Sequence, residues 1–233
     1  MGANRTRWLT VWLAVIAVLV PTPAWAGPTI VDRPIVFDAE RARLMRAYLV
    51  AHNNPDQPKD PMVATTMAPR VVVIHWTAVG TLNGSFNAFA PVRIRSSRSI
   101  SDAGAVNVSV QFLVDRDGTI YRLMDETRMG RHTIGLNHIS IGIENVGGGS
   151  KLPLTEEQAS ANAELIRYLA GRHSITHLIG HHEYRQMEGH PYFKELDPKY
   201  RTVKSDPGDA FMARVRKLIS DLDLQGPPTK EAK

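Results

Sequence analysis

Apolar positions along this chain fall into short runs with two different periods. Residues 70–75 (RVVVIH) are continuously apolar and too short for a helix, which predicts a buried central strand. The run closes on His75, at the carboxyl edge of a sheet, where α/β folds commonly place their sites. Residues 108–115 and 119–123 are strand-like and flank Asp115-Arg116-Asp117-Gly118, a turn with glycine where φ must be positive, so a hairpin is expected. Residues 139–144 (ISIGIE) alternate and predict another strand, ending on Glu144. Residues 175–180 predict a short strand that delivers His181.

Helical spacing appears in three places. Asp38 can cap a helix through about residue 50, with Leu44, Ala47, Tyr48 and Ala51 as its stripe. Thr155-x-x-Gln158 is a capping box opening a helix to about residue 172, with Ala159, Ala163, Ile166 and Ala170 on one face. Residues 209–222 predict a last helix, with Phe211, Val215, Leu218, Ile219 and Leu222 inward. An extended lead-in is expected over residues 27–34. Loops are expected over 52–69 and 81–105, the latter with room for one short helix. Gly147 to Gly149 reads as a mobile loop, and residues 182–204 as a long polar connection. The Pro/Lys/Glu-rich tail 225–233 reads as disordered. Together these predict a mixed α/β (α+β) chain with one core, a central mixed sheet flanked by helices. The expected units are a leader 1–26, an extension 27–69, a principal domain 70–224 and the tail.

Composition adds the leader and restricts the chemistry. Arg5 and Arg7 precede a 13-residue apolar stretch at 8–20, and Ala24-Trp25-Ala26 supplies a small-x-small cleavage signal. This predicts a signal peptide removed after Ala26, hence export to the periplasm or medium with no stable membrane insertion afterwards. The apolar stretch is shorter than the roughly 20 residues a membrane span needs. The net charge is +5 and the pI about 9.6, but the charges are scattered. A basic surface suits anionic partners such as nucleic acid, anionic lipid or acidic cell-wall polymer, but with no long Lys/Arg run the charge reads first as a soluble basic surface, and nucleic acid is not implied. The chain has no cysteine, which excludes thiolate ligands, Cys nucleophiles and disulfides. A metal site here must use His, Asp or Glu. His75, Glu144 and His181 all stand at predicted strand ends, and Asp206 precedes the last helix in KSDPG. Two imidazoles and one carboxylate suit Zn²⁺ with a fourth position open. Spacing alone leaves His182 and His190 as rival ligands.

Five segments make a more specific case: VVVIHWT (71–77), VSVQFLVDRDGTIYRL (108–123), RHTIGLNHISIGIEN (131–145), LIGHHEY (178–184) and KSDPGDAF (204–211). In this order they resemble the zinc-dependent N-acetylmuramoyl-L-alanine amidases of the type 2 amidase family, relatives of peptidoglycan recognition proteins and T7-type lysozyme. The resemblance implies metal ligands His75, His181 and Asp206, with the aspartate standing where some relatives carry cysteine. It implies Glu144 as the catalytic acid/base and Lys204 as a cation facing the reacting carbonyl. It implies cleavage of the amide joining N-acetylmuramic acid to L-alanine in peptidoglycan or muropeptides. His132, Trp76 and Asn145 are its candidate substrate contacts. Two positions depart from the family pattern: Gln111 where many relatives have His, and Arg131 where they have Trp. The 24 residues between His181 and Asp206 also exceed the short link of minimal relatives and are expected to fold over one wall of the groove and select substrate. A non-catalytic muropeptide-binding module and a zinc peptidase acting on another amide are the alternative readings.

Overall fold

A computed structural model describes residues 27–95 and 102–229. The proposed leader 1–26 and the last four residues lie outside the described residues. The described elements are β1 (Ile30–Asp32), α1 (Ala39–His52), α2 (Pro61–Ala64), β2 (Val71–Trp76), α3 (Leu82–Phe89), β3 (Phe112–Val114), β4 (Ile120–Arg122) and β5 (Ser140–Asn145). They continue with α4 (Glu156–Arg172), β6 (His177–Gly180), a 3₁₀ turn (His181–Met187) and α5 (Asp209–Leu218). The expected mixed α/β architecture is present, as one six-stranded sheet in the order β1-β4-β3-β5-β2-β6. Among the described strands, only β3 and β4 pair antiparallel.

Strand β2 lies between β5 and β6 because its residues are apolar on both faces, with Val71 to Ile74 fully buried. On one face, Val72, Ile74, Ile141, Ile143 and Leu178 pack with Leu165, Ile166 and Leu169 of α4 and Phe211 and Val215 of α5. On the other, Val71, Val73 and Ile179 pack against Ile134, Leu136, Tyr184 and Met187. The capping box of α4 forms as expected, and Asp38 caps α1 by accepting from the Arg41 amide.

Several local expectations are corrected. The hairpin exists and Gly118 has φ +86°, but residues 108–111 stay outside β3. Gln111 there bonds the chain on both sides, through the Gly142 amide and the Arg128 carbonyl. The lead-in supplies a strand, β1, which pairs with β4 at the edge of the sheet. The buried face of α1 is Leu44, Met45, Tyr48, Leu49 and His52, while Ala47 and Ala51 face solvent. Arg41 is fully buried beside that face because its guanidinium donates to the carbonyls of Phe89, Ala90 and Pro91 at the end of α3. Helix α5 stops at Leu218, which is exposed, because the chain turns into a 3₁₀ segment there. The glycine loop after β5 is bonded rather than free: the Gly147 amide donates to Val79 and the Gly148 amide to Leu152. Gln225, at the start of the expected tail, exchanges backbone bonds with Thr176 and Leu178.

Candidate metal centre and active site

Register places the site. Parallel pairing sets His75 of β2 opposite Glu144 of β5, and Ile74 opposite Gly180 of β6. His181 follows Gly180, so His75, Glu144 and His181 share the carboxyl edge of three adjacent strands. Asp206 arrives from the far end of the long connection. His182 fixes it there: the His182 amide and Nδ1 both lie against the Asp206 carbonyl oxygen, at 2.7 and 3.1 Å. Those bonds, and an Asp209 contact at Nε2, turn the His182 ring away from the centre. His190 accepts from the Tyr192 amide and packs on His177, also elsewhere.

Three donor atoms converge. His75 Nδ1 and His181 Nδ1 are 2.9 Å apart, His181 Nδ1 and Asp206 Oδ2 2.9 Å, and His75 Nδ1 and Asp206 Oδ2 3.3 Å. A tetrahedral cation with bonds of about 2.0–2.1 Å spaces its donors roughly 3.3–3.4 Å apart, so this triangle fits one. Among the described residues it is the one His/Asp/Glu group of that kind. Burial, and then His75, push the His181 pKa down to about 4. Burial opposes ionisation of Asp206, but the neighbouring His181 and His75 rings outweigh it and hold the carboxyl far below its usual range. Near neutral pH Asp206 is therefore a carboxylate and the His181 ring is neutral, with one nitrogen lone pair to offer a cation.

Glu144 stands beside this triangle, 9 % exposed, with Oε2 buried and bonded to nothing. Burial first, and the Asp206 carboxylate second, raise its pKa well above the usual value, against the opposing pull of Lys204. Lys204, Trp76, His132, Phe89 and Val108 line the same groove with the three donors. A connected cavity runs on past His181 and Lys204 to Tyr48 of α1 and to Tyr200 and Thr202 of the long connection. That connection is docked by a His52 Nδ1–Glu195 contact of 2.8 Å, with Glu195 almost fully buried. Its Tyr200 and Thr202 line one side of the groove.

One expectation about groove residues changes, and Arg131 gains an account. Asn145 is fully buried, donates to the His75 carbonyl and accepts from Asn162, so it supports β2 and does not face substrate. Arg131 is spent on the Gly104 and Val106 carbonyls and the Tyr200 hydroxyl, with its guanidinium over the Tyr48 ring. It ties the wall together where a Trp stands in many relatives. Sequence reasoning missed Tyr48 and did not single out Tyr200 and Thr202 within the connection, because only tertiary folding decides which of these side chains reach the groove.

The family described as N-acetylmuramoyl-L-alanine amidase matches residues 65–209, more than half of the chain. The chain belongs to that family. Among curated relatives of this amidase family, mouse peptidoglycan recognition protein 3 is 30% identical over 106 residues, covering 46% of this chain and 30% of that protein. The endolysin of Escherichia phage T7 is 43% identical over 47 residues, 20% of this chain and 31% of the endolysin. These matches span under a third of each relative's length. Among solved structures, the N-acetylmuramoyl-L-alanine amidase LysC from Clostridium intestinale URNW aligns over 85% of this chain and 99% of its own, at 20% identity and TM-score 0.53. That likeness is one of fold.

Proposed function

We propose that this chain is an exported, zinc-dependent N-acetylmuramoyl-L-alanine amidase that cleaves the lactyl–L-alanine amide of peptidoglycan or muropeptides. The observation that carries this reading is the triangle of His75, His181 and Asp206 beside the orphaned carboxylate oxygen of Glu144. His75, His181 and Asp206 would hold the ion, which would supply Lewis acidity for the scissile carbonyl and lower the pKa of a water to about 7. Glu144, as a carboxylate, takes the proton of the attacking water and returns it to the departing amine nitrogen. Lys204 stabilises the negative charge that gathers on the carbonyl oxygen. No covalent nucleophile is needed. The basic chain suits the anionic wall, and Tyr200 and Thr202 of the docked connection select substrate along one side of the groove.

Purified sacculi and soluble muropeptides, incubated with chelated and zinc-restored protein, test this by mass spectrometry of the products. Lactyl-ended glycan plus stem peptide with a free L-alanine amine supports the proposal. Binding without cleavage makes the chain a recognition module, and cleavage within the stem makes it a peptidase. Export rests on residues 1–26; secreted protein beginning at Gly27 supports it, and protein that keeps Met1 inside the cell refutes it. No described helix is long and apolar enough to cross a membrane.

A further inference from the structure

We propose that His132 is a positioning residue that fixes the tautomer of His75, and that position 142 is glycine to admit its ring. The inference rests on the reading of His75, His181 and Asp206 as zinc ligands. The Ser140 carbonyl can only accept, and it lies 3.3 Å from His132 Nε2, so that nitrogen carries the proton. In a neutral ring Nδ1 then holds a lone pair. This atom faces His75 Nε2 at 3.1 Å and the Thr133 hydroxyl at 2.9 Å. A lone pair there requires the proton of His75 on Nε2. His75 Nδ1 is thereby left bare, and it is the atom that points at His181 and Asp206. The opposite tautomer would put a hydrogen in the middle of the donor triangle.

The fold holds His132 tightly. Its own amide and that of Thr133 both donate to Asn137 Oδ1, at 2.8 and 2.7 Å. Its ring meets the His75 ring edge to face, with centroids 5.2 Å apart. Its other side rests on β5. A Cβ at Gly142 would lie 2.9 Å from His132 Cγ and Nδ1, closer than real Cβ atoms come. A glycine inside a central strand weakens it, and this close approach is the compensating reason. His132 thus lines the groove but spends both ring nitrogens on Ser140, Thr133 and His75 rather than on substrate.

Zinc affinity, measured by competition with a chromogenic chelator, tests the proposal without activity. Groups that hydrogen-bond the far nitrogen of a ligating histidine typically contribute about 10- to 100-fold in metal affinity. His132→Leu is expected to weaken binding by about that factor. His132→Asn, whose Oδ1 replaces the Nδ1 acceptor, is expected to recover most of the loss. Gly142→Ala is expected to weaken binding although every imidazole remains. Wild type that binds zinc alongside His132→Leu and Gly142→Ala proteins of equal affinity overturns the proposal and leaves the metal reading intact. Equal losses in His132→Leu and His132→Asn reduce the role to packing and also overturn it. Wild type that takes up no zinc overturns both. Long-range ¹H–¹⁵N spectra of metal-free wild type need no variant to fold. Protons on Nε2 of both His75 and His132 support the relay, and a proton on Nδ1 of either ring overturns it.

Discussion

Glu144→Gln should stabilise the metal-free protein and nearly abolish its turnover. The side chain is 9 % exposed and Oε2 has no partner, so ionising it removes a charge from water with little repayment. Its pKa in the folded chain lies well above the unfolded value of 4.5, chiefly through burial and then through Asp206. For a carboxyl shifted upward, the unfolded chain loses its proton first as pH rises, so stability falls from pH 4.5 towards the folded pKa. At about 1.4 kcal/mol per pH unit, the loss between pH 4.5 and 7 reaches at most about 3 kcal/mol. Glutamine keeps the shape and cannot ionise. The variant should therefore exceed wild type by up to about 3 kcal/mol at pH 7 and by little at pH 4.5, in urea unfolding with chelator present. Added zinc should shrink the gain, because a nearby cation favours the carboxylate. Turnover on muropeptides should fall about 10²- to 10⁴-fold with zinc affinity retained. Turnover within tenfold of wild type, or a stability gain equal at both pH values, would refute the reasoning.

Other outcomes follow from the same geometry. Lys204→Met should lower kcat by about 10²- to 10³-fold while zinc affinity and unfolding midpoint stay unchanged, read by steady-state kinetics alongside chelator competition. Burial, and then Lys194, push the His138 pKa down to about 4, and its Nδ1 is buried without a partner. The unfolded chain takes up that proton first as pH falls from 6.5, so stability is lost down to about pH 4, by up to about 3 kcal/mol before solvent screening. His138→Gln should lose less over that interval, seen as converging urea midpoints of variant and wild type.

Much of the site was legible because strand ends are legible. Continuous and alternating apolar runs locate β2, β5 and β6, and their last residues are His75, Glu144 and His181 or their immediate neighbours. The hairpin turn, the α4 capping box and the Asp38 cap were equally readable, since each is decided by residues within four positions. Asp206 was not derivable from periodicity; the family pattern pointed to it, and the fold explains it through the His182 bonds to its carbonyl.

What the sequence determined by itself is the local grammar: where strands and helices lie, which side chains end them, and that a cysteine-free metal site must be built from His and carboxylate. Tertiary structure decided what depends on neighbours distant in the chain. Strand order is one case, since β1 pairs with β4 across about ninety residues. The burial of Arg41 is another, because carbonyls at the end of α3 receive its charge. Asn145 and His132 look like groove residues in sequence, yet one braces the His75 backbone and the other faces its ring. Local propensity acts over one turn or one pleat, whereas hydrogen-bond partners and buried charge are settled only when the chain closes on itself.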